Sequence, residues 1–172
     1  QRINNDLAND LGNLAQRVLS MVARSLDGMP GAAGSLQEAD QQILDLSNRT
    51  LDKLRGEMGQ MRFHKALEAI WALIGDANRY VDHMAPWQLR KHDQQRMQQV
   101  LYVVLEVLRR IGLMIIPFMP QSASQLLDQL AQPEDKRNFA CWGDQIDGTR
   151  KLPKPVGLFP RYVQKGTSDA NG

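Results

Sequence analysis

The chain has 172 residues, and its 21 Lys plus Arg against 19 Asp plus Glu give a formal net charge of +2. This length suits one domain with a real core. The chain lacks the obvious basic excess that many nucleic-acid-binding domains carry, and its charge balance permits a small basic face without requiring one. The single cysteine, Cys141, excludes an internal disulfide framework and fits a reducing compartment, so we expect a cytoplasmic protein.

Neither a membrane span nor a signal peptide is predicted. The apolar run at residues 113–116 ends at Pro117 and is far too short to cross a bilayer. No apolar stretch follows the first residues, as a signal peptide would require. Because the chain lacks an initiator methionine and enters a helical pattern at once, we expect a fragment of a longer protein.

Apolar residues that recur every three or four positions predict two helices in the first 60 residues. The first should end near the glycine and proline of residues 27–30. Its apolar positions are Ile3, Leu7, Leu11, Leu14, Val18 and Met21. Ser35 and Glu38 have the spacing of a capping box, which predicts the start of the second helix. Its apolar positions are Ile43, Leu44, Leu51, Leu54 and Met58.

A third helix should begin by about Arg62 and end before Pro86, because the residue preceding a proline is disfavoured in the helical region. Its apolar positions are Phe63, Leu67, Ile70, Ile74, Ala77, Val81 and Met84. Trp87 then lies on a stiff corner, where two interpretations compete. The side chain either closes the end of the helical core or offers an exposed platform on which an unpaired base stacks.

The polar residues 91–99 lead into a fourth helix, whose two faces both become apolar beyond Val100, which predicts the most buried helix. Its apolar positions are Met97, Leu101, Val104, Leu108 and Ile111. Pro117 ends it, and Pro120 begins a short fifth helix. We therefore predict an all-α bundle of about five helices. Residues 1–131 would form the bundle, 132–163 an irregular extension that packs on the bundle or on a neighbouring domain, and 164–172 a disordered tail.

Residues suited to catalysis do not form a recognisable pattern. Cys141 and the three histidines, His64, His83 and His92, have no metal-ligand spacing, and no phosphate-binding loop or nucleophile motif is present. We expect no catalytic residue, metal or cofactor in this chain. Asn13 and Arg17 lie one helical turn apart at the edge of the first apolar stripe, which on spacing alone favours a solvated pair.

Four segments in order resemble the anticodon-binding helical domain of class I aminoacyl-tRNA synthetases, specifically the methionyl-tRNA synthetase family. They are residues 9–17 (Asn-Asp-Leu-Gly-Asn-Leu-Ala-Gln-Arg), 78–87 (ending Ala-Pro-Trp), 117–120 (Pro-Phe-Met-Pro) and 158–161 (Leu-Phe-Pro-Arg). The resemblance implies that Asn13, Arg17 and Trp87, supported by Pro86, recognise the CAU anticodon of methionine tRNA, chiefly its cytosine.

The resemblance also implies a parent enzyme whose N-terminal catalytic domain binds methionine, ATP and Mg²⁺, so that this chain alone would be inactive. Trp142 and residues 158–159 would dock on that domain, and the protein would be a monomer. Seven basic residues could contact the tRNA stem: Arg49, Lys53, Arg55, Arg62, Lys65, Arg90 and Lys91. Two alternatives stay open: the same domain in the valyl, leucyl, isoleucyl or cysteinyl enzymes, and a helical protein-interaction module with Trp87 in its core.

Overall fold

The computed structural model describes residues 2–158, which form helices without any strand. The α-helices are α1 Arg2–Ser25, α2 Glu38–Gly59, α3 Phe63–Met84, α4 Pro86–Leu89, α5 Gln94–Ile115 and α6 Pro120–Gln129. Two short 3₁₀ helices, Glu134–Lys136 and Phe139–Cys141, follow them. The predicted all-α bundle of about five helices is confirmed, and the single-turn helix α4 is an addition to it. Within residues 2–158 no helix combines the length and apolarity that a membrane span needs.

Helices α1 and α3 run parallel, because contacts between them rise together along both helices. The Trp71 indole Nε1 donates a hydrogen bond of 2.6 Å to Asp10, and Arg17 lies 3.0 Å from Asp82. Helix α2 reaches α3 through a tight turn in which Met61 has a positive φ of 57°. The end of α3 and the middle of α1 therefore meet at the opposite end of the bundle from the α2–α3 turn.

The third apolar stripe is correctly predicted except at its ends. Leu67, Ile70, Ile74, Ala77 and Val81 are buried, and Met84 is half-buried. Phe63, the first residue of α3, is 47% exposed, so its placement in the core was wrong. Phe63 lies at the end of α3 that faces the start of α1, where the first fully buried residue comes only at Leu7.

Helix α5 is the central helix, as predicted, and 18 of its residues are buried. The expectation that both of its faces are apolar misses two buried charges. The Glu106 carboxylate accepts hydrogen bonds from Arg109 at 2.9 and 2.6 Å and from the Ile146 backbone at 3.0 Å. Arg109 also donates to the backbone carbonyls of residues 141 and 142. These buried charges have partners, which is the condition for burying them at acceptable cost.

The predicted capping box of Ser35 and Glu38 is wrong. Gln37 is the N-cap residue of α2, and its backbone N–H donates to the Asp40 carboxylate at 2.9 Å. Asp40 is fully buried between α2, α3 and α5, where Arg96 and Tyr80 also bind it. Burial raises the pKa of Asp40, but the hydrogen bonds from Arg96 and Tyr80 outweigh it and hold the pKa below the usual value.

The irregular extension packs on this bundle through residue 158. Ile146, Leu152 and Leu158 are buried in the common core. The Trp142 indole donates to Asn48 of α2 at 2.8 Å. Trp142 and Leu158 therefore contact their own bundle, which is one of the two surfaces expected for the extension, and docking on a catalytic domain stays a prediction. The expectations for Phe159, for the rest of the closing motif and for a disordered tail at 164–172 fall outside the described residues.

Candidate nucleic-acid interface

The corner between α3 and α5 presents an aromatic ring on a buried support. Helix α3 ends at Met84, and Ala85 adopts a left-handed conformation with φ 46° and ψ 61°. This turn lets Pro86 begin α4, where a proline at the first helical position loses no hydrogen bond. Pro86 is buried, whereas Trp87 is 40% exposed. Of the two interpretations of Trp87, the structure therefore favours the exposed platform over a plug in the core.

Arg17 of α1 lies beside this ring. Its guanidinium carbon is 5.7 Å from the centroid of Trp87, within the range of a cation–π contact. The neighbours Leu14 and Val18 are buried in the core, which fixes the opposite face of α1 toward solvent. Asn13 is exposed on that face, one turn before Arg17, and makes no side-chain hydrogen bond within residues 2–158. The structure thus joins Arg17 to Trp87 and leaves the Asn13 amide available to a ligand.

Asp82 is a member of this surface that the sequence reasoning missed. Its carboxylate forms a salt bridge of 3.0 Å with the Arg17 guanidinium, and both side chains are well exposed. The two residues are 65 positions apart, so no local spacing could reveal the pair; only the parallel packing of α1 on α3 does. The salt bridge occupies one guanidinium nitrogen and leaves donors of Arg17 for a ligand. We call Asn13, Arg17, Asp82 and Trp87 the corner surface.

The basic residues expected to contact a tRNA stem lie at different distances from the corner surface, and Arg49, Lys53 and Arg55 are on α2. Arg90 and Lys91 are exposed immediately after α4 and lie close to Trp87 in the chain. Arg62 and Lys65 lie at the start of α3, which has 22 residues and so places them roughly 30 Å from the corner at 1.5 Å per residue. Arg55 contacts the Phe139 ring. A contact with bases at Trp87 is thus compatible with backbone contacts at Arg90 and Lys91.

The described residues show no arrangement suited to a metal or to phosphoryl chemistry. In residues 2–158 no cluster of three or more His, Cys, Asp and Glu side chains could hold a metal ion. Cys141 lies in the extension, far along the chain from the corner surface. What the corner surface can do chemically is to stack a planar group on Trp87 and to donate hydrogen bonds from Arg17 and Asn13.

Comparisons with known proteins relate the chain to a tRNA-binding family. Residues 29–154 match the family described as the anticodon binding domain of methionyl tRNA ligase. Methionine–tRNA ligase of Brucella melitensis is 51% identical over 164 residues, which cover 95% of this chain and 32% of that protein. The enzyme of Mycobacterium tuberculosis H37Rv is 47% identical over 165 residues, which cover 94% of this chain and 32% of that protein.

The fold of the chain also matches solved structures of a methionyl-tRNA synthetase. A crystal structure of the apo form of Mycobacterium tuberculosis methionyl-tRNA synthetase superimposes with a TM-score of 0.88 at 47% identity, covering 94% of this chain and 33% of that one. A structure of the same enzyme with methionyl-adenylate gives 0.88 at 46% identity, covering 93% of this chain and 32% of that one. The chain thus spans about a third of the length of the relatives it matches.

Proposed function

The chain belongs to the family of methionyl-tRNA ligase anticodon-binding domains, and we propose that its corner surface reads the CAU anticodon of methionine tRNA. The observation that carries this proposal is the exposed Trp87 ring, held on buried Pro86 beside the Arg17 guanidinium. Bases in an anticodon loop are single-stranded, and proteins read RNA sequence at such splayed bases.

Trp87 is suited to stack on one of these bases. Its backbone follows the buried Pro86, and its ring is 40% exposed beside the Arg17 guanidinium, so a face of the ring is accessible to a base. Stacking of a base on an aromatic side chain contributes roughly 1–3 kcal/mol and does not depend on which base is present. Trp87 would therefore supply affinity, and discrimination must come from hydrogen bonds at the base edge.

Arg17 and Asn13 can supply that discrimination. The pairing edge of cytosine presents acceptors at O2 and N3, and Arg17 is a pure donor, whereas the amide of Asn13 both donates and accepts. Uracil carries a proton at N3, which would face the donors of Arg17. A buried donor left without its acceptor costs about 1–3 kcal/mol, so uracil in place of the anticodon cytosine should bind about 5- to 150-fold more weakly.

The test compares an anticodon stem-loop of CAU sequence with a copy of UAU sequence. Trp87→Ala should weaken binding of both, by about 5- to 150-fold, since stacking serves either base. Phe63→Ala is the matched control, because Phe63 is an equally exposed aromatic at the far end of α3. Wild-type affinity of Trp87→Ala for both RNAs, or an equal effect of Phe63→Ala, would refute the assignment of the corner surface.

We further propose that the remainder of the parent protein forms the catalytic domain, binds ATP and Mg²⁺ and attaches methionine to the tRNA. This rests on the share of the relatives that the chain spans and on the lack, within residues 2–158, of any side-chain cluster that could hold Mg²⁺. In the full-length parent, Trp87→Ala should lower kcat/KM for aminoacylation while leaving methionine-dependent ATP–pyrophosphate exchange unchanged, because the exchange needs no tRNA.

A further inference from the structure

Three helices meet at a buried cluster formed by Asp40 of α2, Tyr80 of α3 and Arg96 of α5. The Arg96 guanidinium binds both carboxylate oxygens of Asp40, at 2.7 and 2.8 Å. The Tyr80 hydroxyl donates to the same carboxylate at 2.5 Å. Asp40 is fully buried, and Tyr80 and Arg96 are each 8% exposed. A bidentate pair of this kind fixes both distance and orientation between the helices that carry it.

The cluster lies at both ends of the segment that carries Trp87. Tyr80 is one turn before Met84, the last residue of α3, and Arg96 is in the first turn of α5. The Arg96 guanidinium also reaches the Met84 sulfur at 3.6 Å. Only residues 85–93 lie between the end of α3 and the start of α5, so the cluster fixes where the corner leaves α3 and where it enters α5.

The intervening segment has little rigidity of its own. Helix α4 has four residues, and a single turn of helix is unstable in isolation. Ala85 adopts a left-handed conformation that a residue with a Cβ atom takes only under tertiary constraint. The position of Trp87 therefore depends on groups outside α4. Stability alone does not explain a buried ion pair here, since apolar replacements of such pairs are often neutral or stabilising.

We propose that the Asp40–Tyr80–Arg96 cluster is a positioning device for Trp87, which sets the height and angle of the ring at the corner surface. This proposal rests on the proposed function only for its consequence in RNA binding. A stacking platform that also offers a base edge to Arg17 must hold the base within about 0.5 Å of the productive position. The cluster supplies that precision by holding the end of α3, through the contact of Arg96 with Met84, against the first turn of α5.

The first test observes Trp87 directly and needs no RNA. The chain has three tryptophans, so labelling with 5-fluorotryptophan should give three ¹⁹F NMR resonances, assigned by Trp→Phe variants. Tyr80→Phe removes one hydrogen bond to Asp40 without opening a cavity. We expect the Trp87 resonance to shift or broaden, while those of Trp71 and Trp142 stay in place.

The matched control is Glu106→Gln. It weakens a second buried charge cluster, which lies on the same helix α5 and contacts the extension. Glu106 binds Arg109 and Arg110, and Arg110 lies 5.5 Å from the Trp142 ring. This variant should move the Trp142 resonance and leave that of Trp87 unchanged. A Trp87 resonance that responds equally to both variants would reduce the cluster to a general stabilising role and overturn the proposal.

The second test measures RNA binding with the CAU and UAU stem-loops. Tyr80→Phe should lower the CAU preference about two- to tenfold, the range that the net contribution of one hydrogen bond spans. Glu106→Gln should keep the wild-type preference. Unchanged preference in Tyr80→Phe, with an unmoved Trp87 resonance, would refute the positioning role. The wild-type chain could instead show no CAU preference while Tyr80→Phe still moves the Trp87 resonance. That result would refute the proposed function and leave the positioning role standing.

Discussion

Replacing Asp82 by asparagine tests the electrostatic reasoning about the corner surface. The substitution keeps the size of the side chain and removes its charge, so that Arg17 loses its salt-bridge partner at 3.0 Å. Two effects on RNA follow. The carboxylate no longer repels phosphates, and the guanidinium no longer has to leave an ion pair to bind a base. Both effects favour binding of any anticodon loop.

The magnitude is bounded by the exposure of the pair. The side chains of Arg17 and Asp82 are 40% and 62% exposed, so water screens their attraction, and pairs of this kind contribute about 0–1 kcal/mol to stability. For a domain of this size 1 kcal/mol corresponds to roughly 2–4 °C in Tm, which limits the loss in Asp82→Asn. The same bound limits the gain in RNA affinity to about fivefold.

Discrimination should change in the opposite direction from affinity. The salt bridge holds the Arg17 fork in one orientation, and a freed guanidinium can rotate to meet the O4 or O2 acceptor of uracil as well. We therefore expect Asp82→Asn to bind the CAU stem-loop slightly more tightly and the UAU stem-loop considerably more tightly. Fluorescence anisotropy at two salt concentrations and a thermal melt measure both quantities.

Asp128→Asn is the control for the loss of one negative charge, because Asp128 lies on α6, away from the corner surface, and pairs with Arg137 of the extension. It should leave the ratio of CAU to UAU affinities unchanged. Weaker binding of both RNAs by Asp82→Asn would show that the carboxylate contributes to recognition. A stability loss above about 2 kcal/mol would show that the pair is not screened as its exposure implies.

Three further expectations concern stability and assembly. Because the pKa of Asp40 lies below its usual value of 3.8, its carboxylate stabilises the fold fully above that pH and loses this contribution as the pH falls through the folded-state pKa. Asp40→Asn should thus cost up to about 3–5 kcal/mol near pH 7 in urea unfolding, and progressively less below pH 4. Gly148→Ala should detach the extension, because the new Cβ atom would overlap the carbonyl oxygen of Gly31, and hydrogen exchange in the extension should become faster. Gly143→Ala should leave the exchange unchanged, because the space around Gly143 is open. If the chain is the predicted monomer, sedimentation equilibrium should give a mass of 19.4 kDa that does not change across micromolar concentrations.

The helical framework was predictable because burial follows a simple period. The stripes of Leu7, Leu11, Leu14 and Val18 on α1 and of Leu67 to Val81 on α3 are buried where the three- and four-residue steps place them. Proline chemistry placed the other boundaries: α3 ends before Pro86, and α6 begins at Pro120. These signals are local, since each depends on residues within one or two turns of the chain.

What could not be predicted depends on contacts between distant residues. Asp40 lies in the first turn of α2, where an acid is common, so nothing local marks it; its role depends on Arg96, 56 residues away in the chain. Glu106 and Arg109 interrupt an otherwise apolar face, and only the returning extension explains why they are buried. A charged side chain is buried where its partners lie, and those partners come from distant parts of the chain. The apolar periodicity of its own helix therefore does not predict its burial.

The charge balance of the chain fits the proposed anticodon recognition if it depends more on discrimination between bases than on overall affinity. Phosphate contacts supply binding that is largely independent of sequence, and a strongly basic surface would hold cognate and non-cognate tRNAs alike. Here the net charge is only +2, and the arginine beside Trp87 is already paired with an acid. A base must therefore offer enough hydrogen-bond acceptors to compete with Asp82 for Arg17. Cytosine offers O2 and N3 as adjacent acceptors, whereas uracil places an N3–H donor between its O2 and O4 acceptors. Under the proposed anticodon reading, Asp82 should therefore weaken overall binding and sharpen the choice between the two bases.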